Sequence, residues 1–149
     1  MQLFTIGYEQ ASPAAFIDEL KRARIELVVD TRAVAASRRP GFSKRQLAAA
    51  LSDHAIGYLH LQKLGTPAAG RLAARAGDLK TLWRVYERHI KGPEAQAALR
   101  ELLVLLKAKR RIALLCYCRN PSACHRSRIA VHVKKHLRVK VEDLIPRLF

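Results

Sequence analysis

One stretch of the chain decides the fold class: residues 93–126 read PEAQAALRELLVLLKAKRRIALLCYCRNPSACHR. Its leucines and alanines recur at helical spacing, which predicts a helix over Pro93–Lys109. The run RIALLC, at Arg111–Cys116, is short and continuously apolar and predicts a buried strand. Tyr117–Cys124 is then expected to be a loop, and a second helix begins near His125. A buried strand between two helices is typical of an α/β sheet covered on both faces.

The same alternation continues on both sides of this stretch. Short apolar runs predict four more strands, namely Leu3–Ile6, Glu26–Asp30, Ile56–Leu61 and Val139–Val141. Helical spacing and N-cap signals predict four more helices. One starts at Pro13, one follows Ser43, one covers Arg71–Ile90, and one runs from His125 to His136. We therefore expect a single α/β domain over residues 1–149, with three layers and a mostly parallel sheet of about five strands.

Composition narrows the class of protein. Half of the chain is hydrophobic, which excludes a wholly disordered protein. Lysine and arginine number 28 against 12 acidic residues, so the net charge is +16 and anionic partners are expected. No apolar run approaches about 18 residues, which predicts no membrane span. The three cysteines all lie between residues 116 and 124, unlike a secreted disulfide scaffold, so a cytoplasmic protein is expected.

Polar residues follow each predicted strand at its carboxyl end. Tyr8 follows the first strand, Asp30 and Arg32 stand at the end of the second, and His60 stands in the third. Ligands of open α/β sheets bind outside these strand ends. We therefore expect these residues to meet the segment after Cys116 at one edge of the sheet.

The segment after the central strand carries the richest chemistry. A strand, a short loop and a helix N-terminus follow one another, and a helix N-terminus favours anions. A cysteine placed there can act as a thiolate nucleophile, and we expect that role for Cys116 or Cys118, with His125 as proton shuttle. The candidate catalytic residues are Cys116, Cys118, Cys124 and His125. The candidate anion-binding or substrate-binding residues are Tyr8, Asp30, Arg32, Arg38, His60, Arg119 and Arg126.

Other interpretations of the cysteines stay open. Cys116, Cys118, Cys124 and His125 could bind zinc, but one Cys-x-Cys and one Cys-His in a single stretch match structural zinc sites poorly, so we predict no metal and no cofactor. A redox disulfide between Cys118 and Cys124 is a second option. A third is structural, with buried thiols and a pair between Arg126 and Asp30. The phosphatase spacing of Cys, five residues and Arg fails, because Cys124 stands where that arginine would follow Cys118.

The motifs resemble the bacterial and archaeal domain-of-unknown-function family 488 from residue 3 to about residue 135. The matching segments are Phe4–Gly7, Val29–Arg32, Ser37–Phe42, Tyr58–His60 with Leu64-Gly65, Leu115-Cys116 and Cys124–Arg126. The resemblance implies a single α/β domain and makes Asp30, Arg32, Cys116, Cys124, His125 and Arg126 the motif positions. It supplies no reaction. Two departures stand out: Tyr8-Glu9 replaces a histidine and a small polar residue, and Cys118 replaces an acidic residue.

Two functions follow as hypotheses. The first is an enzyme-like domain whose Cys-His-Arg site binds an anionic small molecule, with thiol-based transfer or hydrolysis on a phosphate- or sulfur-bearing substrate. The alternative is a non-catalytic protein that binds nucleic acid through its basic surface. Against the alternative, the cations are scattered over several helices and no nucleic-acid recognition motif is present.

Overall fold

A computed structural model describes residues 1–108 and 110–148. They contain one five-stranded sheet in which every paired strand is parallel to its neighbour. The strands are β1 (Gln2–Gly7), β2 (Leu27–Asp30), β3 (Gly57–His60), β4 (Ile112–Cys116) and β5 (Lys140–Leu144). Their order is β3-β2-β4-β1-β5, so β4 is the central strand. The predicted α/β class is confirmed.

Helices cover both faces of the sheet. They are α1 (Pro13–Arg22), α2 (Lys44–Ser52), α3 (Ala68–Arg75), α4 (Leu79–Ile90), α5 (Pro93–Lys107) and α6 (His125–Lys134), with 3-10 turns at Gln62–Leu64 and Pro121–Ala123. One core lies between the sheet and α1 and α2. The other lies between the sheet and α4, α5 and α6. Burial on both faces explains why β2 and β4, the buried inner strands, are mainly apolar in sequence.

Local signals account for the starts of α1 and α5. The Ser12 hydroxyl accepts a hydrogen bond from the Ala15 amide at 3.1 Å, and Pro13 occupies the first turn of α1. Pro93 begins α5, the longest helix of the described chain. The predicted end of that helix, Lys109, lies outside the described residues.

The prediction of one helix over Arg71–Ile90 was wrong. Two helices, α3 and α4, occupy this stretch, and α3 starts earlier, at Ala68. Gly77 separates them with a φ of 74°, a left-handed conformation that glycine adopts without a steric penalty. The side chain of Asp78 then accepts a hydrogen bond from the Thr81 amide at 3.1 Å and starts α4.

The C-terminal strand is longer than predicted. β5 pairs with β1 over five residues, from Gln2 opposite Lys140 to Ile6 opposite Leu144. No helix among residues 1–108 and 110–148 is long and apolar enough to cross a membrane.

Candidate functional site

The candidate site lies at the carboxyl end of β4, between the ends of β1 and β2. Gly7 on β1 stands opposite Cys116, and Asp30 on β2 stands opposite Leu115. The amide of Thr31 donates to the Leu115 carbonyl at 3.0 Å. The three segments that the sequence placed at strand ends therefore meet at the centre of one sheet edge.

Gly7 allows the loop after β4 to fold back against β1. A Cβ atom at this position would lie 1.8 Å from the carbonyl oxygen of Cys118 and 2.6 Å from Nη1 of Arg126. The Glu9 amide donates to the Tyr117 carbonyl at 2.9 Å, and the Arg119 amide donates to Oε1 of Glu9 at 3.0 Å. Only glycine leaves room for this approach of backbone to backbone.

Arg126, in the first turn of α6, is completely buried. Its guanidinium donates to protein groups: Oγ1 of Thr5 at 3.1 Å, Sγ of Cys116 at 3.5 Å, and the carbonyl oxygens of Cys118 and, at 3.2 Å, of Arg119. Burial lowers its pKa. The side chain thus connects α6 to β1 and to the loop, and it does not line the cavity described below.

Cys116 and Cys124 form the sulfur pair of the site. Both are buried, and their sulfur atoms lie within bonding distance across the loop, with the Cα atoms 7.8 Å apart. Cys118 is the free cysteine. The hypothesis of a Cys118–Cys124 disulfide was therefore wrong: the strand end directs Cys116, and not the loop residue Cys118, toward the start of α6.

Two donors point at the sulfur of Cys116. The amide of Cys118 lies 3.3 Å away and Nη1 of Arg126 3.5 Å away. Hydrogen bonds and positive charge both favour a thiolate over a thiol at this position. Cys118 has the opposite environment, because burial raises the pKa of its thiol more than the charge of Arg126 lowers it.

His125 has a defined tautomer. Its Nε2 lies 3.0 Å from the carbonyl oxygen of Thr31, an acceptor only, so Nε2 carries the hydrogen and Nδ1 keeps a lone pair. Nδ1 lies 3.8 Å from Sγ of Cys124. Burial, with a smaller contribution from Arg126, lowers the pKa of His125 to about 4. The imidazole is neutral at pH 7, with its lone pair near the sulfur pair.

Asp30 and Arg32 form a closed ion pair beside the site. Nε and Nη2 of Arg32 donate to the two carboxylate oxygens at 2.9 and 2.8 Å, and the Tyr58 hydroxyl donates to Oδ2 at 2.5 Å. Nη1 of Arg32 donates to the Tyr8 hydroxyl at 3.1 Å. The structural hypothesis that Arg126 pairs with Asp30 was wrong, because Arg32 occupies both carboxylate oxygens.

A cavity of about 390 Å³ opens directly onto the sulfur pair. Seven of the predicted site residues line it, namely Tyr8, Arg32, Arg38, Cys116, Cys118, Cys124 and His125. The volume is within the range of small-molecule sites, roughly 300–1,000 Å³. The cavity brings together the thiols, a neutral imidazole and guanidinium groups.

Two arginines of the cavity wall were missed by the sequence analysis. Arg71 and Arg75 lie one helical turn apart on α3, and Thr66 lies just before that helix. Nη1 of Arg71 donates to the Thr66 carbonyl at 2.8 Å, which holds it against the wall. Their i, i+4 spacing signalled a shared helix face. It did not signal that α3 would cover the edge of the sheet.

The remaining predicted residues lie outside the cavity lining. Nε2 of His60 lies 2.7 Å from the Arg32 carbonyl, so this imidazole supports the loop after β2. Asp30 is completely buried in the ion pair. Arg119 contributes its backbone to the loop; among the described residues, its buried Nη1 has no hydrogen-bond partner. The roles predicted for these residues stay predictions.

The family comparison agrees with the motifs. The model of a family described as Domain of unknown function DUF488 matches residues 12–133. This range contains the sulfur pair, His125, Arg126 and the Asp30–Arg32 ion pair. Neither a curated protein nor a solved structure shows significant similarity to this chain.

Proposed function

The chain belongs to the family described as Domain of unknown function DUF488, and from its site we propose a thiol-dependent enzyme that reduces an anionic, disulfide-bearing small molecule. The observation that carries this proposal is the sulfur pair Cys116 and Cys124 at the base of a cavity walled by arginines. A second thiol in contact with the first resolves a mixed disulfide. That arrangement favours a sulfur-bearing substrate over a phosphate ester.

Charge in the cavity supports an anionic substrate. Arg38 and Arg75 are exposed side chains of the lining, and Arg71, also in the lining, is half-buried. The whole chain carries a net charge of +16, which raises the encounter rate of anions. Arg126, in contrast, donates to protein acceptors, so anion binding is assigned to the three cavity arginines.

Cys124 is the proposed nucleophile. Its sulfur lies 3.8 Å from Nδ1 of His125, which accepts the thiol proton because the negative charge of the forming thiolate raises the pKa of the imidazole above its value beside the oxidised pair. The Cys124 thiolate then attacks one sulfur of the substrate, a protein–substrate disulfide forms, and the substrate S–S bond breaks. The departing sulfur leaves as a thiolate and takes the proton back from His125. Cys118 has no such base beside it in the described structure, and burial raises its thiol pKa.

Cys116 is the proposed resolving group. Its thiolate, favoured by the Cys118 amide and Arg126, attacks Sγ of Cys124 and forms the Cys116–Cys124 disulfide. The second half of the substrate leaves as a thiol after protonation by solvent. The substrate disulfide is reduced to two thiols and the protein dithiol is oxidised. A low-molecular-weight dithiol is the class of reductant that returns the protein to its starting state.

The test is a single turnover of the reduced chain with an anionic probe, dithiobis-nitrobenzoate. The background is Cys118→Ser, which removes the thiol outside the pair and serves as the matched control. This protein is expected to release two nitrothiobenzoate anions per chain. With Cys116→Ser added, it releases one and retains a mixed disulfide on Cys124, visible by mass spectrometry. With Cys124→Ser added, the fast phase of nitrothiobenzoate release disappears.

The charge of the probe tests the substrate class. Arg71→Gln with Arg75→Gln is expected to slow the reaction with the anionic probe about tenfold. The same pair is expected to leave the reaction with uncharged dithiodipyridine unchanged. A fast phase that persists without Cys124, or equal slowing for both probes, contradicts the proposal.

Nucleic-acid binding is the second candidate, and it uses a different part of the surface. Lys134, Arg138 and Lys140 line one depression beside Met1, at the amino ends of β1 and β5. Affinity of this kind falls log-linearly with salt, because phosphate contacts release counterions. Binding to an RNA or DNA duplex is expected to weaken when Lys134, Arg138 and Lys140 are changed to glutamine, and to survive loss of all three cysteines. A salt-independent affinity would exclude it.

A further inference from the structure

The sulfur pair and His125 together present three metal ligands. One donor atom from each of Cys116, Cys124 and His125 lies within 4.8 Å of the other two. We infer that these three side chains, with both thiols reduced, bind a thiophilic divalent cation of the Zn²⁺ class. The inference goes beyond the proposed function and does not depend on it, because metal binding requires no disulfide substrate.

His125 is oriented as a ligand before any metal binds. Its Nε2–H donates to the Thr31 carbonyl at 3.0 Å, and Thr31 Oγ1 lies at the same distance. Thr31 is itself held by its hydroxyl, which donates to the Leu115 carbonyl at 2.8 Å. Metal-bound histidines commonly donate their other ring nitrogen to a backbone carbonyl in this way, which sets the tautomer and the ring orientation.

The backbone spacing of the cysteines suits a bridging ion. The Cα atoms of Cys116 and Cys124 are 7.8 Å apart, which leaves room for an ion between the two side chains once both thiols are reduced. An ion between the sulfurs inserts two bonds of about 2.3 Å each into this path. In a tetrahedral site, those bonds place the two sulfurs about 3.8 Å apart. The backbone spacing therefore fits two thiolates on one ion.

The charges around the pair are compatible with a cation. Arg126 repels a metal ion, but it donates Nη1–H to Sγ of Cys116, together with the amide of Cys118. Such N–H···S contacts stabilise thiolates, and two thiolates offset the charge of a divalent ion. Zinc accepts both thiolate sulfur and imidazole nitrogen as ligands.

The fourth coordination position faces the cavity. Cys116, Cys124 and His125 all belong to the cavity lining, and Cys118 lies outside the group of three donors. Three protein ligands and one open position are the pattern of zinc sites that exchange ligands, in contrast with closed four-ligand structural sites. An anion held by Arg71 or Arg75, or a water molecule, completes the shell. Oxidation of the pair to a disulfide removes two ligands and releases the ion.

The experiment is a titration of the reduced, chelator-treated full chain with Co²⁺ and Zn²⁺ under anaerobic conditions. We expect one ion per chain and a thiolate-to-cobalt charge-transfer band that Zn²⁺ abolishes. Cys118→Ser, the matched control, keeps the band. Cys116→Ser and Cys124→Ser lose at least about a hundredfold in zinc affinity, more than loss of an outer-shell partner costs.

Two measurements on the wild-type chain keep the test independent of whether variants fold. Zn²⁺ is expected to raise the Tm of the reduced chain and to leave the Tm of the oxidised chain unchanged, because only the dithiol binds. The inference is overturned if the cobalt band is absent, or if oxidation leaves zinc stoichiometry unchanged. A chain that releases two thiols in the probe assay but binds no metal overturns this inference alone. Metal binding without probe turnover overturns the proposed function alone.

Discussion

Nη1 of Arg126 lies 3.5 Å from Sγ of Cys116, and both residues are buried beneath the carboxyl edge of the sheet. A cation that contacts a thiol at the end of the central strand serves two purposes at once. It favours the thiolate of the sulfur pair, and it holds the start of α6 against β1 through Thr5. The same guanidinium therefore contributes to stability as well as to reactivity.

Arg126→Met is expected to lower the free energy of unfolding by about 2–5 kcal/mol, because it leaves the buried hydroxyl of Thr5 and two partly buried carbonyls without their donor. Urea unfolding followed by circular dichroism measures this loss. Arg75→Met is the control, an exposed cavity arginine whose removal should change stability by less than about 0.5 kcal/mol. Equal effects of the two substitutions would contradict the structural role of Arg126.

Gly7→Ala is expected to cost about 3 kcal/mol or more, because the new methyl group meets the Cys118 carbonyl at 1.8 Å and backbone must move. Gly77→Ala is the matched control: it has a φ of 74° but nothing within 4 Å, so only the left-handed conformation is penalised, by about 1–2 kcal/mol. Urea unfolding of both variants compares the two costs. A smaller loss at Gly7 than at Gly77 would rule out the close approach of the loop to β1.

Tyr58→Phe is expected to destabilise the protein by about 1.5–3 kcal/mol, the value of a hydrogen bond to a charged group. The Tyr58 hydroxyl donates to Oδ2 of the buried Asp30, and burial together with this bond raises the pKa of Tyr58. Thermal and urea unfolding measure the loss. Tyr117→Phe, an exposed tyrosine, is the control and should be nearly neutral. No difference between them would contradict the Asp30–Tyr58 bond.

Glu87→Gln is expected to destabilise the protein at neutral pH by about 0.5–1 kcal/mol, and the difference should disappear in acid. Burial alone would raise the Glu87 pKa, but hydrogen bonds from Arg128 and His132 lower it below its ordinary value of 4.5. Because the pKa of Glu87 is lower in the folded chain than in the unfolded chain, the ionised carboxylate stabilises the folded state above pH 4.5. That contribution is lost as the pH falls through the folded pKa.

Unfolding of the wild-type chain and Glu87→Gln is compared at neutral pH and at successive pH values below 4.5. Glu94→Gln is the control, because Glu94 pairs with Lys63 at the exposed surface. A difference in the free energy of unfolding between wild type and Glu87→Gln that stays constant down to acidic pH would contradict the stabilising role of the contacts between Glu87, Arg128 and His132.

The sequence by itself determined the fold class. Continuous apolar runs such as Ile112–Cys116 indicate strands that are buried on both faces, and N-cap signals mark helices between them. This alternation predicts an α/β sheet whatever the order of the strands. It also predicted that the cysteine segment and the strand-end residues meet, because the carboxyl ends of parallel strands share one edge. The break at Gly77 was missed, because glycine in a helical pattern lowers helix propensity without deciding the outcome.

The tertiary structure alone decided how these residues are connected. The order β3-β2-β4-β1-β5 places β4 between β1 and β2, which directs Cys116 rather than Cys118 toward Cys124. The tertiary structure also pairs Asp30 with Arg32 rather than with Arg126, and it places Arg71 and Arg75 in the cavity wall. These relations depend on distances between segments far apart in the chain. Local propensity and spacing carry no information on those distances, since packing of whole elements sets them.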